Sequence, residues 1–446
     1  MTPNRVLLTG AAAGIGAAVL IPLGQPGLGW PLTAILVFAL LRKVRPAWAV
    51  LSVALFTVGA FIAAEWMFTL CAITGCAAGS LAVVGGRTAR GVVFGAGAVP
   101  LAAVKAVPWV ARGVKENGAP PLARPILVTA GLLLVFVPLL AGADAAFADL
   151  LGSVTPDEPY GEPVVLFLAV GLGTVGAAYL LVAPPRLDGT SVLPRTVTRR
   201  DWVLPVGALV VLFATFVTVQ INTLFAGDAH VITTPDLTYA DHARSGFWQL
   251  LAVTLLTLGV IAVVARLARL DSPDDRRWLR GLLGALSVLT LVIVASALTR
   301  MWLYQQAYGF TVLRVLVTAC ELWLGLVYLL VLAAGVRLEG AWLARAVVGT
   351  GFAALVGLAA LNPERFIAER NIDRYHASGK IDFSYLSRLS ADAVPALATL
   401  PEDVRACALR SRVEDDDWRS WNLGRQQARD TLAQVKRGDC ARSRGR

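Results

Sequence analysis

Arg314 and Glu321 stand seven residues apart inside one long apolar run, LRVLVTACELWLGLVYLLVLAAG (313–335). Ionisable groups at such depth are costly and mark ion paths, ligand sites or inter-helix pairs. On a helix this spacing puts both on one face, about 10 Å apart along the axis. That is too far for a tight direct pair, so each is expected to meet another helix. Arg300, Tyr304 and Tyr308 gather just before Arg314, and Asp241, His242 and Arg244 precede another apolar run. Glu65 and Asp144 fall at the ends of their own runs, where either is a partner for Arg314 or Arg300. One reading of Glu65, Asp144, Asp241, Arg244, Arg300, Tyr304, Tyr308, Arg314 and Glu321 is an outward-facing cavity for an anionic or sugar-bearing ligand. The other is a set of inter-helix salt bridges and interfacial anchors, with Tyr and Trp in the aromatic belt.

Other chemistry is hard to build from this chain. His230, His242 and His376 are scattered, with no HxxxH or HExxH spacing, so no metal site is expected. No Walker loop, nucleophile elbow or kinase signature occurs, and no cofactor is expected. Cys71, Cys76 and Cys320 lie in apolar runs and read as small hydrophobes. Cys407 and Cys440 alone lie outside them. An antiparallel helical hairpin would bring these two together, and a bridge there would add roughly 3–4 kcal/mol on the loop-entropy model.

What must position these residues follows from composition. Hydrophobic residues make up 57% of the 446 residues and charged residues 16%, with a mean hydropathy of +0.66. Soluble domains carry roughly 25% charged residues, so the chain is expected in a bilayer. Apolar runs of about 20 residues, enough to cross about 30 Å, fall at roughly 6–24, 28–41, 46–64, 67–86, 125–143, 163–184, 202–222, 248–266, 281–299, 311–335 and 346–361. The expected class is therefore an all-α polytopic membrane protein of about eleven spans.

Charge then sets orientation, because Lys and Arg of short loops stay inside. With the N-terminus in, the inner segments hold Arg42, Lys43 and Arg45, the stretches Arg87 to Arg124, Arg186 to Arg200 and Arg266 to Arg280, and Arg337 and Arg345. The outer loops before residue 362 hold Arg244 and Arg300. An odd span count leaves the C-terminus outside. The net charge of +10 would suggest nucleic acid for a soluble chain; here its distribution describes topology, and no nucleic-acid partner is expected.

The stretch VLLTGAAAGIGAAVL (6–20) resembles the phosphate-binding turn of short-chain dehydrogenases. Such a turn needs a preceding strand and an acidic residue about 20 positions on. The first acidic residue is Glu65, and no Tyr-x-x-x-Lys pair follows. Gly10 and Gly14 read instead as a small-xxx-small face for close helix approach.

Two segments are not spans. Residues 91–121, interrupted by Pro100 and Pro108 and bearing Lys105, Arg112 and Lys115, suit a helix lying on the anionic inner leaflet, with a re-entrant hairpin as the alternative. The division expected is thus 1–361 in the membrane and 362–446 as a helical extracytoplasmic tail. In that tail Pro401-Glu402-Asp403 marks one helix start, and Asp415 to Asp417 offer caps for a helix over about 418–435.

The phrases HARSGFWQLL (242–251), RMWLYQQAYGFTVLRV (300–315), NPERFIAERNIDRY (362–375) and YLSRLSADAVPAL (385–397) resemble a bacterial integral-membrane family classed as a domain of unknown function, the 4153/4173 group. The resemblance implies a polytopic membrane protein and no reaction. Three functions stay open: an envelope-associated binding or regulatory protein, whose partner is an envelope lipid, a glycan or a protein; a membrane enzyme acting on a lipid-linked sugar; or a transporter. The Arg-rich, Ala- and Val-rich composition and the loop charges point to the cytoplasmic membrane of a bacterium.

Overall fold

The computed structural model describes residues 2–109, 161–185, 197–225, 247–409 and 413–435, apart from positions 23, 87, 104, 107, 108 and 339. The expected span at 125–143, with Asp144, Asp241, Arg244 and Cys440, lies outside the described residues. Within them the protein is helical, with no strand beyond an isolated bridge between Val197 and Ala268. Seven described helices are long and apolar enough to cross a membrane, and three shorter apolar ones cover Asn4–Leu20, Gly29–Leu41 and Pro46–Phe61. Each falls on an expected span to within a few residues, except that the helix carrying 281–299 runs on at both ends, over Pro273–Tyr308. The surface is consistent with a bilayer: Leu204, Leu256 and Val336 are 70% exposed or more, a poor match to water when so many apolar side chains share it. Span threonines such as Thr57, Thr218 and Thr290 donate to the carbonyl four residues back, satisfying hydroxyls that lipid cannot.

The chain divides into two compact units. The first contains residues 1–188, 355–365 and 383–446. Its helices are α1 (Pro3–Leu20), α2 (Gly29–Leu41), α3 (Pro46–Phe61), α4 (Glu65–Val84), α5 (Ala89–Ala96) and α6 (Gly161–Val182). Gly10 and Gly14 do form a close-approach face: a Cβ on Gly14 would lie 2.6 Å from the Phe167 carbonyl oxygen, and one on Gly10 would meet Val175 and Gly171 of α6. The described part of 91–121 packs on the bundle. Ser80 of α4 donates to Gly95 O (2.5 Å) and accepts from Val99 N (3.1 Å), and Ala98, Ala102 and Ala106 join the α6 residues Val175 and Ala178 in one core.

The second unit contains residues 189–354 and 366–382. It holds α7 (Arg199–Phe225), α8 (Phe247–Leu267), α9 (Pro273–Tyr308), α10 (Val312–Arg337), most of α11 (Leu343–Ala360) and most of α12 (Pro363–Ser378). A capping box between Ser272 and Asp275 starts α9. From there Leu279, Leu283, Leu286, Ile293 and Ala297 recur at helical spacing and bury against Trp202, Val206 and Phe213 of α7 and Tyr328 of α10.

Short helices complete the tail in the first unit: α13 (Phe383–Leu386), a 3-10 turn (Ala391–Ala393), α14 (Val394–Leu397), α15 (Glu402–Ala408) and α16 (Leu423–Gln434). The last starts later than the sequence suggests. Asn422, not the Asp415–Asp417 run, is its cap, accepting from Arg425 N at 3.0 Å. The three aspartates serve turns and ion pairs instead.

Candidate functional site

Every α-helix leaves its first amides and last carbonyls without internal partners. At the ends of the α1–α2 and α3–α4 hairpins those groups are met by the tail. Asn422 donates through Nδ2 to Gly59 O and Ile62 O, both at 2.9 Å, closing the C-terminus of α3. Asp392 Oδ2 accepts from Ala63 N (2.7 Å) and Ala64 N (3.0 Å). Ala64 is the N-cap of α4 and has no side-chain oxygen of its own, so Asp392 supplies the acceptor. Arg419 donates to Val19 O (3.3 Å) near the end of α1, and its own carbonyl accepts from Gly29 N (3.0 Å) at the start of α2. Arg425 donates to Pro26 O (3.0 Å) between them.

The capping groups are themselves held. Arg425 and Asp416, each 4% exposed, pair at 2.7 Å, and Arg429 reaches Asp416 at 3.0 Å. Glu364, at the start of α12, accepts from Trp66 Nε1 (2.8 Å) and from Ser390 N. Burial is the largest influence on Asp392. It pushes the carboxyl up to about 6, against the lowering by the Ala63 and Ala64 amides, and nearby Glu364 adds to the rise. Asp417 goes the other way, to about 2, because the Ser420 N–H stabilises its charged form.

Between tail and loops lies a cavity of about 460 Å³. Gln25 and Pro26 come from the α1–α2 loop; Ala63, Ala64, Glu65 and Trp66 from the α3–α4 junction; Glu364 from α12; Arg388 to Ala391, Val413, Glu414 and Arg425 from the tail. Carboxylates, guanidinium groups, an indole and an amide thus face one space.

Among the described members of the outer polar set only Glu65 lines this cavity. Arg300, Tyr304, Tyr308, Arg314 and Glu321 belong to the second unit. There Arg314 lies over the Tyr304 ring at 4.4 Å and donates to Tyr308 O (3.1 Å) and Gly309 O, while the Tyr304 and Tyr308 rings meet tilted, with centroids 5.0 Å apart. Arg374 adds bonds to Gln306 O (3.2 Å) and Ala307 O (2.7 Å). Two guanidinium groups therefore close the C-terminus of α9, where positive charge is favourable. Glu321 is buried and takes no hydrogen bond from Arg314 or any other described residue. Cys407 is buried and disulfide-bonded; Cys440, its expected partner, lies outside the described residues. No group of three potential metal ligands occurs among the described residues.

Asp392, Glu364, Asn422 and Arg425 were not legible as site residues in the sequence. No curated protein and no solved structure matches the chain. One family model, described as a domain of unknown function (DUF4153), matches residues 50–400, a wider stretch than the phrases that resemble it. Covering well over half of the 446 residues and agreeing with a helical, span-rich fold, that match places the chain in the DUF4153 family.

Proposed function

We propose that this protein is a cell-envelope binding protein of the bacterial cytoplasmic membrane, with its N-terminus inside and its tail outside, and that the cavity under the tail is its ligand site. The observation that carries the reading is the make-up of that cavity, built where the tail meets the α1–α2 and α3–α4 loops. Glu65, Glu364 and Glu414 set three carboxylates against two arginines, and Arg425 is already paired with Asp416. That balance disfavours an anionic ligand. A neutral, hydroxyl-rich one fits better: carboxylates and Arg388 match sugar hydroxyls, and Trp66 offers its ring beside them. The site therefore suits a glycan or the sugar of an envelope lipid.

The test is mass spectrometry of gently purified protein for co-purifying glycan or glycolipid, beside an Arg388→Ala, Glu414→Gln variant. A sugar-bearing species retained by the natural protein and lost at least tenfold in the variant supports the reading. Equal retention by both, or no sugar-bearing species with either, overturns it.

A further inference from the structure

The second unit buries one carboxylate that no contact described so far employs. Glu321 is 2% exposed, and both of its carboxylate oxygens lack a hydrogen-bond partner among the described residues. It stands about 13 Å along α10 from Val312, well inside a helix of 26 residues.

Its helix face is polar over much of its length. Arg314, Thr318, Glu321, Gly325 and Tyr328 recur at steps of four and three, which sets them on one side of α10. That side is turned to α9 and α8. Gln305 Nε2 donates to Thr318 Oγ1 at 3.0 Å, Gly325 lies against Val294, and Tyr328 donates to Thr254 O at 2.6 Å. Polar side chains therefore recur along this face, from the Gln305–Thr318 pair near the α9–α10 turn, past Glu321, to Tyr328.

The occupant of Glu321 can be argued by elimination. An ionised carboxylate buried without a donor forfeits its hydration, whereas the neutral acid is only a buried polar group. Arg314 directs its guanidinium to the α9 carbonyls. The residues of α8 before Arg266 and those of α9 between Arg280 and Arg300 carry no charge, and α11 carries only Arg345. Cys320 and Tyr328 are the nearest titratable groups on α10 itself. A hard metal cation wants about six or more oxygens, and no cluster of three ligating side chains is present among the described residues. A proton needs only the carboxylate.

We propose that Glu321 is a reversible proton-binding site of the membrane domain, reached from the α9–α10 turn through the Gln305–Thr318 pair. In the loading step a water-borne proton forms one O–H bond on the carboxylate; in release that bond breaks and the proton returns to water. Nothing else is oxidised, reduced or transferred. The proposal concerns the second unit and is independent of the tail cavity.

Dicyclohexylcarbodiimide adds to the protonated form of carboxylic acids in apolar surroundings. Full-length protein in lipid vesicles is treated with it across a pH series, and the adduct is located by peptide mass spectrometry. Glu321 is expected to be modified, with a yield that falls about tenfold per pH unit above its titration midpoint. The infrared carbonyl band of a protonated acid should fade over the same range and be missing from Glu321→Gln. Both readings on the natural protein stand even if that variant does not accumulate. Absence of the adduct at every pH, or a yield and band unmoved by pH, overturns the proton site. Deuterium exchange of the band should slow at least tenfold in a Gln305→Leu, Thr318→Val variant; an unchanged rate overturns the route.

Discussion

Asp392 shows how burial outweighs a helix terminus. Two amides at the start of α4 favour its charged form, yet removal from water raises its carboxyl from 3.8 to about 6. In the undocked tail it titrates near 3.8, so between those values the docked state binds more protons. Its contribution to docking is complete below about 3.8 and is lost as pH rises through about 6, an effect of up to about 3 kcal/mol for two units. Asp417, lowered to about 2, has the opposite sign but acts only at more acid pH. Limited proteolysis of the tail in detergent should thus be slower at about pH 4 than at neutral pH, and Asp392→Asn should flatten the difference. A dependence unchanged in that variant would assign it elsewhere. Arg425 makes a harsher case. Its removal takes from Asp416, 4% exposed, the nearer of its two guanidinium partners and leaves Arg429 at 3.0 Å. Breaking a buried pair from one side costs about 3–5 kcal/mol, and the remaining partner sets the cost here at the low end of that range or below it. Arg425→Met should release the tail to protease while the spans stay resistant.

At the scale of elements, the spans were readable because lipid imposes a length and a hydropathy that no partner needs to supply. The glycine face of α1 was readable for a related reason: Gly10 and Gly14 are four apart, and only a close neighbour requires that. Gly14→Leu should therefore abolish accumulation by driving a side chain into the Phe167 carbonyl, whereas Gly207→Leu, where no heavy atom lies within 4 Å, should be tolerated; equal expression of the two would refute the packing. The tail was legible only in outline. Asp415 to Asp417 looked like a cap because capping signals are local, but the cap is Asn422. Its second task, closing α3 from 360 and 363 residues away, leaves no trace in nearby sequence. Asn422→Ala should cost about 1 kcal/mol for the cap and more for the two stranded carbonyls, read as faster exchange of the α16 amides. Arg314 was readable only in part: its depth leaves a ligand site and an inter-helix contact equally open, and its bonds to the carbonyls at the end of α9 join groups the sequence does not pair.

For the whole molecule, the charge pattern makes a prediction about sides. Reporter fusions after Arg90, Arg200 and Arg280 should be cytoplasmic, and one after Ser378 external; an internal signal at Ser378 would overturn the odd span count. If the tail is external, Cys407 and Cys440 should resist alkylation in intact cells until reduced. The tail also imposes a schedule. The amides of Ala63 and Ala64 and the carbonyls of Val19, Gly59 and Ile62 take their partners from residues 392, 419 and 422. Those partners are synthesised after every span. Throughout translation, the first two hairpins wait with open ends, and the ribosome must deliver hundreds of further residues before they close. The first two hairpins are thus among the last of the described parts to finish folding, and a chain cut before residue 392 should leave its damage far upstream, at the open ends of α1, α3 and α4.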